Sequence, residues 1–111
     1  MLHGIPPSCI FGLQNIIEID LSGNQLQGNL NDLFAGIPND QPAAMGKLKR
    51  LNLDNNRFSG QVPEHLPSIP SLSEMTLHGN DLTGSIVMTC GMEKLTADCA
   101  EVDCDCCTEC F

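Results

Sequence analysis

Three stretches of the chain superimpose without gaps in their apolar positions: IIEIDLSGNQLQGNL (16–30), LKRLNLDNNRFSGQV (48–62) and LSEMTLHGNDLTGSI (72–86). Each reads L-x-x-L-x-L-x-x-N-x-L-x-G-x-I, with one aliphatic residue standing in for another in places. The L-x-L part alternates apolar and polar residues, the period of a short strand with one buried face. Ile19/Leu21, Leu51/Leu53 and Met75/Leu77 are therefore expected to face a core, and the residues between them to face outward. Asn24, Asn56 and Asn80 follow the strands, where a side-chain amide can satisfy the backbone of a turn. Gly28, Gly60 and Gly84 fill a slot whose backbone geometry excludes a Cβ. Val62-Pro63 leads a return segment in which Leu66 and Ile69 face inward again.

The spacing from Asn56 to Asn80 is 24 residues, and from Asn24 to Asn56 it is 32. The surplus falls within AGIPNDQPAAMGK (35–47), whose Pro, Gly and Ala content marks a loop insertion. The pattern also continues at both ends. Leu2, Gly4, Pro7, Ile10 and Leu13 fill the late slots of a preceding repeat, and Met92, Leu95 and Ala97 the first slots of a degenerate last one. One such repeat is too small to offset the entropy of ordering its own backbone, so neighbours must share their apolar faces. This predicts repeats over residues 1–91, with a partial first one, and a degenerate last repeat plus terminal cap over 92–111. A chain that begins inside a repeat is expected to be an N-terminally truncated fragment, because terminal repeats need a cover.

These residues resemble the leucine-rich repeat family in its plant-type extracellular class. LKRLNLDNNRFSGQVPEHLPSIPS (48–71) fills nearly every slot of that class, with Phe58 for Leu and Val62 for Ile. Departures are the missing Pro after Leu30, Val87 where Pro is usual, and Cys90 in a Leu slot. The resemblance implies an α/β chain wound into a right-handed leucine-rich repeat solenoid. A short parallel sheet would line its concave face, and irregular or 3-10 segments would return behind it. It also implies a non-enzymatic module that binds a protein, peptide or glycan on that face and holds no cofactor.

The outward slots of the three strands line up as columns: Glu18, Arg50, Glu74; Asp20, Asn52, Thr76; and Ser22, Asp54, His78. These nine are the candidate ligand-binding residues. The first column has the signs of a cross-strand charge ladder. The third contains the residue types of a hydrolase triad, but in the wrong order. With neighbouring strands about 4.8 Å apart, Asp54 stands in the middle and Ser22 lies about 10 Å from His78, beyond the reach of nucleophile and base. His3 and His65 fall in edge or return segments and are expected in solvent.

Five of the seven cysteines crowd into DCAEVDCDCCTECF (98–111), and Cys90 and Cys99 bracket the last degenerate strand. Sulfur thus collects where an open apolar end needs covering. Cys90, Cys99, Cys104, Cys106, Cys107 and Cys110 are expected to form a disulfide-bonded cap, similar to the Cys-rich ends of diatom-type leucine-rich repeat proteins. Six cysteines allow fifteen pairings and sequence does not choose among them, although a bond between adjacent Cys106 and Cys107 would be strained. Cys107-x-x-Cys110 with Cys104-x-Cys106 could instead supply thiolates to zinc, but structural zinc sites combine two separated pairs. Asp103 and Asp105 alternate as in a calcium loop that then lacks its Gly and terminal Glu. No metal is assigned. Cys9 is left over, either as a small buried apolar residue or as the partner of a cysteine upstream.

Charge narrows the partners. Fourteen acidic residues against five basic ones give −9, and six of the acids fall in 93–111 beside a single base, Lys94. Nucleic acid and anionic membrane surfaces, which demand Lys and Arg, are excluded as partners. No 18-residue apolar run marks a membrane span. The first fifteen residues lack a basic start and carry Pro6-Pro7 where a signal peptide keeps its apolar core. No Asn-x-Ser/Thr sequon occurs. Disulfides place the chain outside the cell or at its surface. The functional expectation is a recognition module of a secreted or cell-surface protein. The alternatives are a structural wall or matrix protein and the C-terminal fragment of a receptor ectodomain. Three or four strands make a strip roughly 15–20 Å wide, narrow for a peptide groove, which favours a piece of a longer solenoid.

Overall fold

The computed structural model describes residues 3–4, 17–30, 32, 47–62, 72–86 and 91–111. Its strands form two parallel sheets. The first contains the L-x-L segments: β2 (Glu18–Asp20), β4 (Arg50–Asn52), β6 (Glu74–Thr76) and β8 (Lys94–Ala97), with β10 (Glu109–Cys110) added beyond β8. The second contains β1 (His3–Gly4), β3 (Gln25–Asn29), β5 (Arg57–Gln61), β7 (Asp81–Ile86) and β9 (Val102–Cys104), side by side in that order. Each coil of chain therefore contributes one strand to each sheet, as the leucine-rich repeat resemblance requires.

The second sheet goes beyond the sequence expectation, which gave N-x-L-x-G-x-I a turn and a special glycine but no strand. Apolar and polar residues alternate through that segment as well. Leu26 and Leu30, Phe58 and Val62, and Leu82 and Ile86 are buried, while Gln25, Arg57 and Asp81 are exposed. A period of two with one buried face is sufficient for a strand. The glycine slot keeps a backbone that side chains avoid: Gly60 has φ +83° and Gly84 +94°.

The two sheets differ in register. In the first, equivalent slots pair directly, Ile19 with Leu51, Leu51 with Met75 and Met75 with Leu95. In the second, each glycine pairs with the apolar residue two slots earlier in the next coil: Gly28 with Phe58, Gly60 with Leu82 and Gly84 with Val102. Gly4 pairs with Leu26 under the same rule, so it holds the glycine slot of a preceding repeat, as the spacing predicted.

The core between the sheets is a stack of rows. Ile19, Leu51, Met75 and Leu95 form one, Leu53, Leu77 and Ala97 another, and Leu26, Phe58, Leu82 and Val102 a third, all buried. Cys104, Cys106 and Cys107 pack against its last coil. Loop residues 35–46, the return residues Leu66 and Ile69, the early-slot residues Leu2, Pro7, Ile10 and Leu13, and Cys9, His65 and Cys90 lie outside the described residues.

Asparagine ties the coils together. Asn56 Nδ2 donates to Leu53 O (3.2 Å) and Asp54 O (3.2 Å) in its own turn, and to Leu21 O (2.8 Å) in the coil before. Its Oδ1 accepts from Leu26 N at 3.1 Å. Asn80 repeats the arrangement one coil later, donating to Leu77 O, His78 O and Leu53 O and accepting from Phe58 N. Asn24 donates to Leu21 O and Ser22 O of its own turn. One side chain thus joins three backbone segments of two coils, and the fixed place of Asn three residues after each L-x-L segment follows from that geometry.

Candidate recognition face and its cap

The outward face of the first sheet carries the predicted columns. Register sets Glu18 beside Arg50 and Arg50 beside Glu74, then Asp20, Asn52 and Thr76 in the next row. The charge ladder is only half formed. Arg50 approaches Glu18 at 3.8 Å with both side chains about half exposed, a pair of little energetic weight. Glu74 Oε2 instead accepts from Asn52 Nδ2 at 3.0 Å. Asn52 Oδ1 is buried and finds no hydrogen-bond partner among the described residues.

The Ser22, Asp54, His78 column is not assembled as a triad. Ser22 Oγ donates to Asp20 Oδ1 at 2.5 Å. Asp54 Oδ1 accepts from Thr76 Oγ1 at 2.6 Å, and its Oδ2 from Asn55 Nδ2 at 2.9 Å and lies 3.7 Å from His78 Nε2. His78 Nδ1 meets Thr96 Oγ1 at 2.7 Å. No nucleophile stands against a base among these three.

Thr76 stands on the same face, yet only 2% of it is accessible, and its hydroxyl donates to Asp54 Oδ1. The available face consists of Glu18, Asp20, Arg50 and, less openly, Ser22, Asn52, Asp54, Glu74 and His78.

The sequence reading missed a fourth set of outward residues, although the same alternation around Leu95 and Ala97 could have supplied it. Lys94 pairs with Glu74, and Thr96 with Thr76. Glu109 of β10 then lies beside Thr96. Thr96 is fully buried. Beyond the last cysteine, Phe111 folds onto the same face and stacks on the His78 ring, with centroids 3.7 Å apart and planes within 9°. Nothing in the repeat pattern signals Phe111.

Behind this edge lies the cap. Cys99 bonds to Cys110 and Cys104 to Cys107. The adjacent pair is avoided, and Cys107 and Cys110 go to different partners, so the half-zinc reading of Cys107-x-x-Cys110 does not hold. Cys106 is disulfide-bonded too. By slot, Cys106 stands four residues after Val102, where earlier coils have Leu30, Val62 and Ile86. β10 closes the open edge of β8. Thr108 N donates to Leu95 O at 2.8 Å and Phe111 N to Ala97 O at 3.0 Å, while Thr108 Oγ1 accepts from Leu95 N at 3.0 Å.

Comparison with known proteins agrees with this geometry. The family model described as Leucine Rich Repeat matches residues 15–37 and 47–69, each a span through one L-x-L strand and its partner strand. These two spans are leucine-rich repeats. Among its relatives, Pollen receptor-like kinase 2 of Arabidopsis thaliana is 41% identical over 68 residues, covering 61% of this chain and 10% of that protein. Receptor-like protein 39 of the same plant is 33% identical over 81 residues, 73% of this chain and 8% of the relative. Tsukushi of Gallus gallus is 34% identical over 82 residues, 74% of this chain and 20% of the relative. This leucine-rich repeat chain therefore spans a fifth or less of the length of these curated relatives. Among the described residues, no helix is long and apolar enough to cross a membrane.

Proposed function

We propose that this leucine-rich repeat chain is a recognition module of a secreted or cell-surface receptor-like protein, binding a protein or peptide ligand on the outward face of its first sheet. The observation that carries the reading is the fixed register of that face. Five parallel strands hold polar side chains in rows whose positions are set by a buried core, a scaffold on which the outward residues can vary for specificity without loss of fold. The receptor-like names of the plant relatives support it. Disulfides at Cys99–Cys110 and Cys104–Cys107 support an oxidising location. The division into repeats over 1–91 and a cap over 92–111 belongs to the same proposal.

A displayed library of extracellular proteins and peptides, screened against the full chain, tests the reading. Binders are expected to lose on the order of tenfold in affinity with Arg50→Ala or His78→Ala. They are expected to ignore Gln27→Ala and Ser59→Ala, which alter exposed positions of the second sheet. Binders that respond only to the second pair would move the site to the other sheet.

A further inference from the structure

We propose that the cap end of this face docks an arginine-bearing, extended segment of a protein partner, with the guanidinium stacked on the open side of Phe111. The inference rests on the recognition reading above and supplies its partner chemistry. Charge is the first ground. The face and its added strand carry Glu18, Asp20, Asp54, Glu74, Asp98 and Glu109 against Arg50 and Lys94. Arg50 already pairs with Glu18. Neither Lys nor Arg stands in the row Ser22, Asp54, His78, Asp98, which runs towards Phe111. A cationic segment is attracted there and an anionic one repelled.

The second ground is Phe111 itself. One side of its ring lies on His78, yet 58% of the residue remains in solvent. The backbone that carries the ring is held in place: Phe111 N donates to Ala97 O at 3.0 Å, and the preceding Cys110 is bonded to Cys99. An aromatic face fixed in this way costs a partner little ordering entropy. Glu109, exposed in the strand that leads to it, supplies an acid within the same short segment. A planar guanidinium can stack on an aromatic ring and present its N–H fork to a carboxylate together, which an ammonium cannot. Asp98 is less free for this role, because its carboxylate accepts from Gly79 N at 2.9 Å and from Asn80 N at 3.3 Å.

Fluorescence anisotropy on the full chain tests the proposal with labelled synthetic octapeptides alternating Gly with Arg, Lys or Glu. The Arg peptide is expected to bind most tightly. Phe111→Ala and Phe111→Leu should each weaken it about three- to fivefold, the loss of one exposed cation–π contact. Both variants change an exposed side chain, and an unchanged far-ultraviolet spectrum verifies their fold. Glu109→Gln should weaken it about twofold, and raising salt from about 50 to about 300 mM on the order of tenfold. Equal binding of the Arg and Lys peptides, or Arg binding indifferent to both Phe111 variants, overturns the proposal. Tighter binding of the Glu peptide, lost in Arg50→Ala, also overturns it while leaving the recognition reading intact. Binding of none of the three overturns it too, and the library screen then judges the recognition reading separately.

Discussion

Between residues 17 and 86 each coil is tied to the next by an asparagine, whereas between 91 and 111 the equivalent places are held by sulfur and a carboxylate. The substitution is local and can be followed slot by slot. Gly23 N donates to Asp54 O and Asn55 N to His78 O, so each turn uses a main-chain oxygen of the coil that follows. At the next step Gly79 N finds the side-chain carboxylate of Asp98 in that place. Ala100 then occupies the asparagine slot, and the ladder stops. Val102 still fills the apolar slot, but Cys104 and Cys106 follow it in the glycine and isoleucine slots. An interior coil is confined from both sides and needs only hydrogen bonds and apolar contacts. The final coil has one neighbour, and covalent cross-links reduce the entropy of its unfolded chain instead.

Several substitutions would break or sharpen this contrast. Phe58→Ala removes the largest side chain of the interior rows and is expected to cost about 3–5 kcal/mol in chemical unfolding. Asn56→Ala should cost about 2–4 kcal/mol, because it leaves the buried Leu26 N without its acceptor and takes one donor each from Leu21 O, Leu53 O and Asp54 O. The double change Cys99→Ser with Cys110→Ser opens a cross-link spanning 11 residues and should cost about 2–3 kcal/mol. A cost below that of Arg50→Ala, expected under about 1 kcal/mol, would show the cap to be decorative. Asn55→Ala sits between these at about 1 kcal/mol, since Asn55 holds φ +56° where Gly23 and Gly79 stand in the other coils. Non-reducing peptide mapping adds a covalent check. Cys106 is expected to be joined to Cys90, the cysteine that the spacing puts at the last coil, and a Cys106–Cys9 peptide would contradict that assignment.

Much of this was legible in the sequence because the repeat obeys two short-range rules. L-x-L strands and the asparagine slot follow from a period of two and from one amide with several polar partners nearby. The second sheet was legible in principle, since L-x-G-x-I alternates too, but a glycine inside a run weakens the strand signal. The stagger of that sheet was not legible, because register between coils is a long-range pairing that the repeat spacing leaves open. Burial of Thr76 and Thr96 escaped for a related reason. Alternation says which face a side chain takes, whereas Asp54, His78 and Phe111 decide whether that face is covered. The cysteine-rich cap was visible as a cluster, and its Cys99–Cys110 and Cys104–Cys107 pairing was not, since pairing depends on distances that spacing leaves open.

Amide hydrogen exchange on the intact chain, with and without a thiol reductant, probes most directly whether the cap takes the place of a further coil. In the oxidised chain the amides of Leu77 and Leu95, bonded to Thr96 O and Thr108 Oγ1, are expected to be slow. After reduction Leu95 should exchange first and Leu77 next, while Leu53 and Leu21, two and three coils away, keep their protection. Unchanged protection at Leu95 after complete reduction, or equal loss at all four amides, would contradict the account.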